Sequence, residues 1–91
     1  MEAERTVMVM AEVGLHARVA ASFVKTASRF ASTIRVRHGD REGNAKSILE
    51  VLTLGAAHRA EVTIRADGDD ATEALDALEA ILAEEEAAPP T

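Results

Sequence analysis

Two hydrophobic periods alternate along this chain, and together they admit few folds. Thr33-Ile34-Arg35-Val36-Arg37 and Glu61-Val62-Thr63-Ile64-Arg65-Ala66 place an apolar residue at every second position. A strand with that spacing buries one face and wets the other. Elsewhere the period lengthens. From His16 to about Phe30, apolar residues recur at Ala20, Phe23, Val24, Ala27 and Phe30, and a later stripe runs through Ala71, Leu75, Leu78 and Leu82. That spacing gathers them on one side of a helix. Arg5 to Met10 is a further β-rich run with Val7 and Val9 on one face. Arg41 to Asn44 reads as a return strand after the His38-Gly39-Asp40 turn. Ser47-Ile48-Leu49-Glu50 fits a capping box, Val51, Leu52 and Leu54 continue a short helix, and Gly55 is placed to end it. Asp67-Gly68-Asp69 turns the chain, and Asp70 is placed to cap the last helix, with Glu73 three residues on.

The resulting order is β-α-β-β-α-β-α. One-sided helices and alternating strands predict an α+β sandwich: a four-stranded, mainly antiparallel sheet with three helices on one face. Residues 1–84 are expected to form a single domain. The acidic, proline-containing segment 85–91 is expected to fray.

Composition removes several function classes. The chain has no cysteine, which excludes disulfides, thiolate metal sites and thiol catalysis. Met1-Glu2-Ala3-Glu4-Arg5 is too charged for a secretory signal, and no apolar run approaches the ~20 residues of a membrane span. The expectation is a cytoplasmic protein that does not contact membrane. Residues 66–91 carry nine acids and neither Lys nor Arg, whereas residues 1–65 carry seven acids and all ten bases. Arg18, Lys25, Arg29 and Lys46 belong to that basic part, which can steer an acidic protein partner. Overall acidity and the lack of basic residues interleaved with aromatics argue against nucleic acid. His38 and His58 fall in expected loops without metal-ligand spacing, so they read as surface residues and no metal is expected. No Walker loop, dinucleotide glycine pattern or Ser/His/Asp arrangement is present, and no cofactor is expected. Any phosphoryl group must then arrive from another protein.

The chemistry concentrates in Gly14-Leu15-His16-Ala17-Arg18, where a strand stops and a helix starts. A helix N-terminus offers unpaired N–H groups and the positive end of the dipole, a place for an anion. His16 supplies a nitrogen nucleophile, and the N–H groups of Ala17 and Arg18 can hold phosphoryl oxygens. A cation in the first turn opposes the dipole, so Arg18 makes more sense if an anion visits. Ser47 reads first as an N-cap, worth about 1 kcal/mol, and second as a phosphorylation site; the two are compatible. Ile48, Leu49, Val51, Leu52 and Leu54 outnumber the buried positions of so short a helix. Either some are exposed as a partner surface, or the sheet and the first helix cover them all.

Gly14-Leu15-His16-Ala17-Arg18, Ala21 through Phe23-Val24-Lys25, and Ala45-Lys46-Ser47-Ile48-Leu49 with Leu54-Gly55 together resemble the HPr family. These are the histidine-containing phosphocarriers of the bacterial phosphoenolpyruvate-dependent sugar phosphotransferase system. The resemblance implies an open-faced β-sandwich and a monomeric carrier that is not itself an enzyme. It implies phosphorylation of His16 on Nδ1 by enzyme I, then transfer to a histidine of a sugar-specific IIA component. Arg18 would be the arginine that stabilises the phosphate. Ser47 matches the position modified by HPr kinase/phosphorylase, and a transcription regulator is a further implied partner. Ala21 and Lys25 of the first helix and Ile48, Leu49 and Leu52 of the second would form the docking face. Two positions depart from the family pattern. Val19 stands where proline usually follows the arginine, and Val13 stands where a small polar residue often contacts the histidine ring. Both bear on ring orientation and transfer rate. They also favour one alternative, a regulatory HPr-like binding module; a nitrogen-related paralogue with altered carriage is a second.

Overall fold

In a computed structural model, which describes residues 1–85, four strands and three helices follow one another in the expected order. They are β1 (Glu2–Met8), α1 (Ala17–Ala27), β2 (Thr33–His38), β3 (Arg41–Asn44), α2 (Ile48–Leu52), β4 (Glu61–Asp67) and α3 (Ala71–Ala83). The two strictly alternating segments, β2 and β4, pair at the centre of a sheet ordered β1-β4-β2-β3, and every pairing is antiparallel. Register brings apolar residues opposite one another: Val7 with Val62, Val36 with Ile64, and Ile34 with Ala66. Each of these six is buried. The other face is wet, with Thr6 bonded to Thr63 at 3.1 Å and ion pairs joining Arg65 to Glu4 and Arg35 to Glu42.

All three helices cover the apolar face. α3 packs on β1 and β4, α1 on α3 and α2, and α2 on β3. The α3 stripe Ala71, Leu75, Leu78 and Leu82 is buried together with Ala74. On α1 the buried side is Val19, Ala20, Phe23 and Ala27, while Val24 and Phe30 are only partly buried. No helix is long and apolar enough to cross a membrane among the described residues.

The strand and helix ends differ from the sequence-based expectation where distant partners intervene. β1 begins at Glu2 because Glu2 and Ala3 pair with Asp67 and Ala66; cross-strand pairing imposes extended structure on residues with little β preference. It ends at Met8, two residues early. Val9 stays buried, but its N–H and C=O bond Ala60 and Arg59 of a turn, not a strand. α1 ends at Ala27, not Phe30. Beyond it Asp70 accepts hydrogen bonds from the N–H groups of Ala31 and Ser32 and from the Ser32 hydroxyl, drawing the chain off the helix. Asp70 stands at the N-cap of α3 but makes no side-chain cap bond there, because its carboxylate is committed to that loop. Glu50 is similar. The Ser47 hydroxyl accepts from the Glu50 N–H at 3.3 Å, but the Glu50 carboxylate accepts from the Asn44 N–H instead of closing the capping box. His38 ends β2 partly buried, with Nδ1 donating to the Leu54 carbonyl at 2.8 Å, so it is no surface loop residue. The expected fraying of 85–91 falls outside the described residues beyond position 85.

Two stability tests follow. Leu78 is fully buried, and Leu78→Ala should cost about 2–5 kcal/mol in urea unfolding. The Asp70 carboxyl is held below the usual carboxylate range, first by the Ser32 hydroxyl and then by the Ala31 N–H. Its folded anionic form is therefore favoured, a contribution present in full above the ordinary value of ~4 and lost as pH falls through the depressed one. Asp70→Asn should lower the melting temperature at neutral pH, and the gap to wild type should close progressively below about pH 4. A gap independent of pH would contradict this.

Candidate functional site

The candidate site is built where the chain leaves β1 and enters α1. The Gly14 N–H donates to Ala11 at 2.8 Å and closes a turn, while φ of +70° places Gly14 in the left-handed region. A Cβ at Gly14 would lie 2.7 Å from the Ala56 carbonyl oxygen and 3.0 Å from the Ala57 Cα. Glycine is thus required both for the turn and for the close approach of two backbones. The next residue completes the junction: the Leu15 N–H donates to that same Ala56 oxygen at 2.9 Å, and the Leu15 side chain is buried. The segment Gly55–Ala57, which follows α2, braces the turn ahead of His16.

His16 is the N-cap of α1, with extended backbone, and its carbonyl accepts the first helical bond from Ala20 at 2.8 Å. Its ring performs the capping. Nδ1 accepts from the Arg18 N–H at 3.4 Å, whereas Nε2 is buried with no hydrogen-bond partner. An accepting Nδ1 carries a lone pair, so the neutral ring holds its proton on Nε2. The two ring nitrogens therefore differ in access. Nε2 is enclosed, while Nδ1 directs a lone pair to the positive end of α1. The bond to Arg18 is at the long limit of hydrogen-bond distance and is a weak one. No acidic residue occupies the first turn to repel an anion. Ala17 and Arg18 are exposed, and Arg18 makes an additional interaction within the fold. Val19, which departs from the family pattern, is buried in the core.

The other predicted residues divide. Ala21 and Lys25 are exposed on α1; Ile48, Leu49 and Leu52 are exposed on α2, Leu49 to 69%. Val51 and Leu54 are buried, which resolves the question left by the apolar surplus of this helix. Since α1 and α2 pack together, the two exposed sets lie on adjoining elements. Ser47 caps the N-terminus of α2, whereas the brace on Gly14 follows the C-terminus of that helix. Lys46 is less available than its charge implies, because its ammonium donates to the Phe30 carbonyl at 2.7 Å. His58 is exposed, and no group of three metal-ligating side chains comes together among the described residues. Ala56 and Ala57 had no signal in the sequence. A lone pair of alanines reveals its role only when the distant glycine is seen against it. Gly14→Ala should therefore lower the melting temperature and displace His16, read as shifted ring and Arg18 amide resonances; unchanged resonances would contradict the brace.

Comparison with known proteins gives a consistent result. The profile of the PTS-HPr family, described as "PTS HPr component phosphorylation site", matches residues 3–84. The chain is 48% identical over 86 residues to the phosphocarrier protein HPr of Haloferax volcanii, covering 92% of this chain and 97% of that one. Its structure is similar to that of HPr-C-His from Thermoanaerobacter tengcongensis, with a TM-score of 0.88 at 39% identity over 97% of this chain and 99% of that one. A structure of the HPr dimer from the same organism is similar over 71% of this chain and 75% of that one, with a TM-score of 0.66 at 49% identity. On this profile match, identity and coverage, the chain belongs to the HPr family of the phosphotransferase system, whose members are phosphocarrier proteins and not enzymes.

Proposed function

We propose that His16 accepts a phosphoryl group on Nδ1 from enzyme I, charged by phosphoenolpyruvate, and passes it to a histidine of a IIA component. The observation that carries this reading is the asymmetry of the ring, with Nε2 buried and the Nδ1 lone pair at the N-terminus of α1. In the transfer, the Nδ1–P bond forms as the P–N bond to the donor histidine breaks, and that bond's electron pair returns to the donor ring, which carries a proton on its other nitrogen and so leaves as neutral imidazole. The His16 proton stays on Nε2. Phosphoryl oxygens then accept from the N–H groups of Ala17 and Arg18, taking the place of Nδ1 at Arg18, and the Arg18 guanidinium neutralises charge. Donor and acceptor are both histidines, so the exchange is near balance and runs in either direction. On this reading the protein acts as a cytoplasmic, monomeric relay.

Ser47 supports a second level of control. A phosphate there would add nearly two negative charges at the start of α2, beside Glu50 and next to exposed Ile48 and Leu49. An HPr kinase/phosphorylase would be the modifying enzyme, and a transcription regulator a reader of the modified face. Retention of His16 and Arg18 in this geometry favours carriage over a module that only binds.

Incubation with enzyme I and phosphoenolpyruvate should add the mass of one phosphate, labile in acid and absent in His16→Ala. No gain in the wild-type protein would sink the proposal. Arg18→Ala should slow transfer by roughly 100-fold, the scale expected for removing one preorganised donor, with the melting temperature little changed. Unfolding of that variant would reassign Arg18 to a structural role.

A further inference from the structure

Val13 is 66% exposed, the second most exposed large apolar residue in the described chain apart from the chain start. It does not hang on a loose loop. Ala11 before it and Leu15 after it are buried, and the intervening turn is closed by the Gly14–Ala11 bond and clamped to Ala56. Val13 is therefore held out between two anchors, next to Gly14, which is itself buried. A β-branched side chain also has little rotamer freedom to lose on contact. The loop presents a rigid apolar knob three residues before His16.

We propose that Val13 is a specificity-determining residue of phosphoryl transfer, covered by an apolar patch around the phosphohistidine of the donor protein. This rests on the reading of His16 as the acceptor. Transfer requires the donor ring to reach within bonding range of Nδ1, so the complex is centred on His16. A standard interface covers ~800 Å² per partner, a disc of roughly 16 Å radius. The Cα atoms of Val13 and His16 lie at most ~11 Å apart along the chain. Any donor of ordinary size therefore covers Val13. Since valine offers no hydrogen bond to a phosphoryl oxygen, its effect is to favour a donor with apolar side chains there and to disfavour one with buried polar groups.

The test measures transfer from phosphorylated enzyme I to wild type, Val13→Ala and Val13→Thr, varying the concentration of the acceptor. Both variants should raise KM by about 4–15-fold, the scale of one to two buried methyl groups, with kcat within about 2-fold and the melting temperature unchanged. Val13→Thr controls for shape, because it exchanges one methyl for a hydroxyl. Unchanged KM in both variants would overturn the inference, and so would a fall in kcat at constant KM, which would place Val13 in the chemical step. Failure of the wild-type protein to accept phosphate is a separate outcome, since it removes the underlying reading of His16 as acceptor and with it this role for Val13.

Discussion

The approach of Gly14 to Ala56 is the contact on which the site depends. Two backbones meet there with no side chain between them, and a Cβ would be 2.7 Å from a carbonyl oxygen. The Leu15 amide then bonds that oxygen, and the following residue is left at the N-cap of α1 with its ring turned inward at Nε2. The orientation of the His16 ring is thus inherited from a junction between two loops that lie about forty positions apart in sequence. Because the brace follows directly from α2, a surface exposed on α2 and the start of α1 belong to one connected unit.

The sheet supplies the platform. Its buried side is a ladder of small and branched apolar residues, and its wet side is neutralised by cross-strand pairs of opposite charge. The helices are tied to it at few but definite points. Arg5 of β1 reaches Asp76 and Glu79 of α3 at 2.7 and 2.8 Å, and Asp70 holds the loop between α1 and β2. Exposed ion pairs contribute little each; the Asp70 bonds matter more for geometry, because they satisfy backbone N–H groups at the point where α1 ends.

Much of this was legible in the sequence. The period-two strands, the one-sided helices, the Gly14 turn and His16 at a helix start all follow from local patterns, and local patterns report which face of an element is buried. Long-range polar capture left no such trace. Asp70 reads as a cap because aspartate before an apolar stripe favours that role, and only the fold brings Ala31 and Ser32 to its carboxylate. Glu50 is diverted in the same way by Asn44, and His38 by Leu54. In each case a side chain expected to serve its own element serves a distant backbone group instead. The extension of β1 back to Glu2 has the same origin, since pairing with β4 overrides weak propensity.

The central claim is that the two nitrogens of one ring are unequal, and that Nδ1 is the one presented for chemistry. Long-range ¹⁵N–¹H and ¹⁵N–³¹P correlations on the His16 ring, recorded before and after exposure to a phosphorylated donor, address it directly. The account predicts an Nε2–H ring in the free protein and phosphorus coupled to Nδ1 afterwards. An Nδ1–H ring, or phosphorus on Nε2, would contradict it.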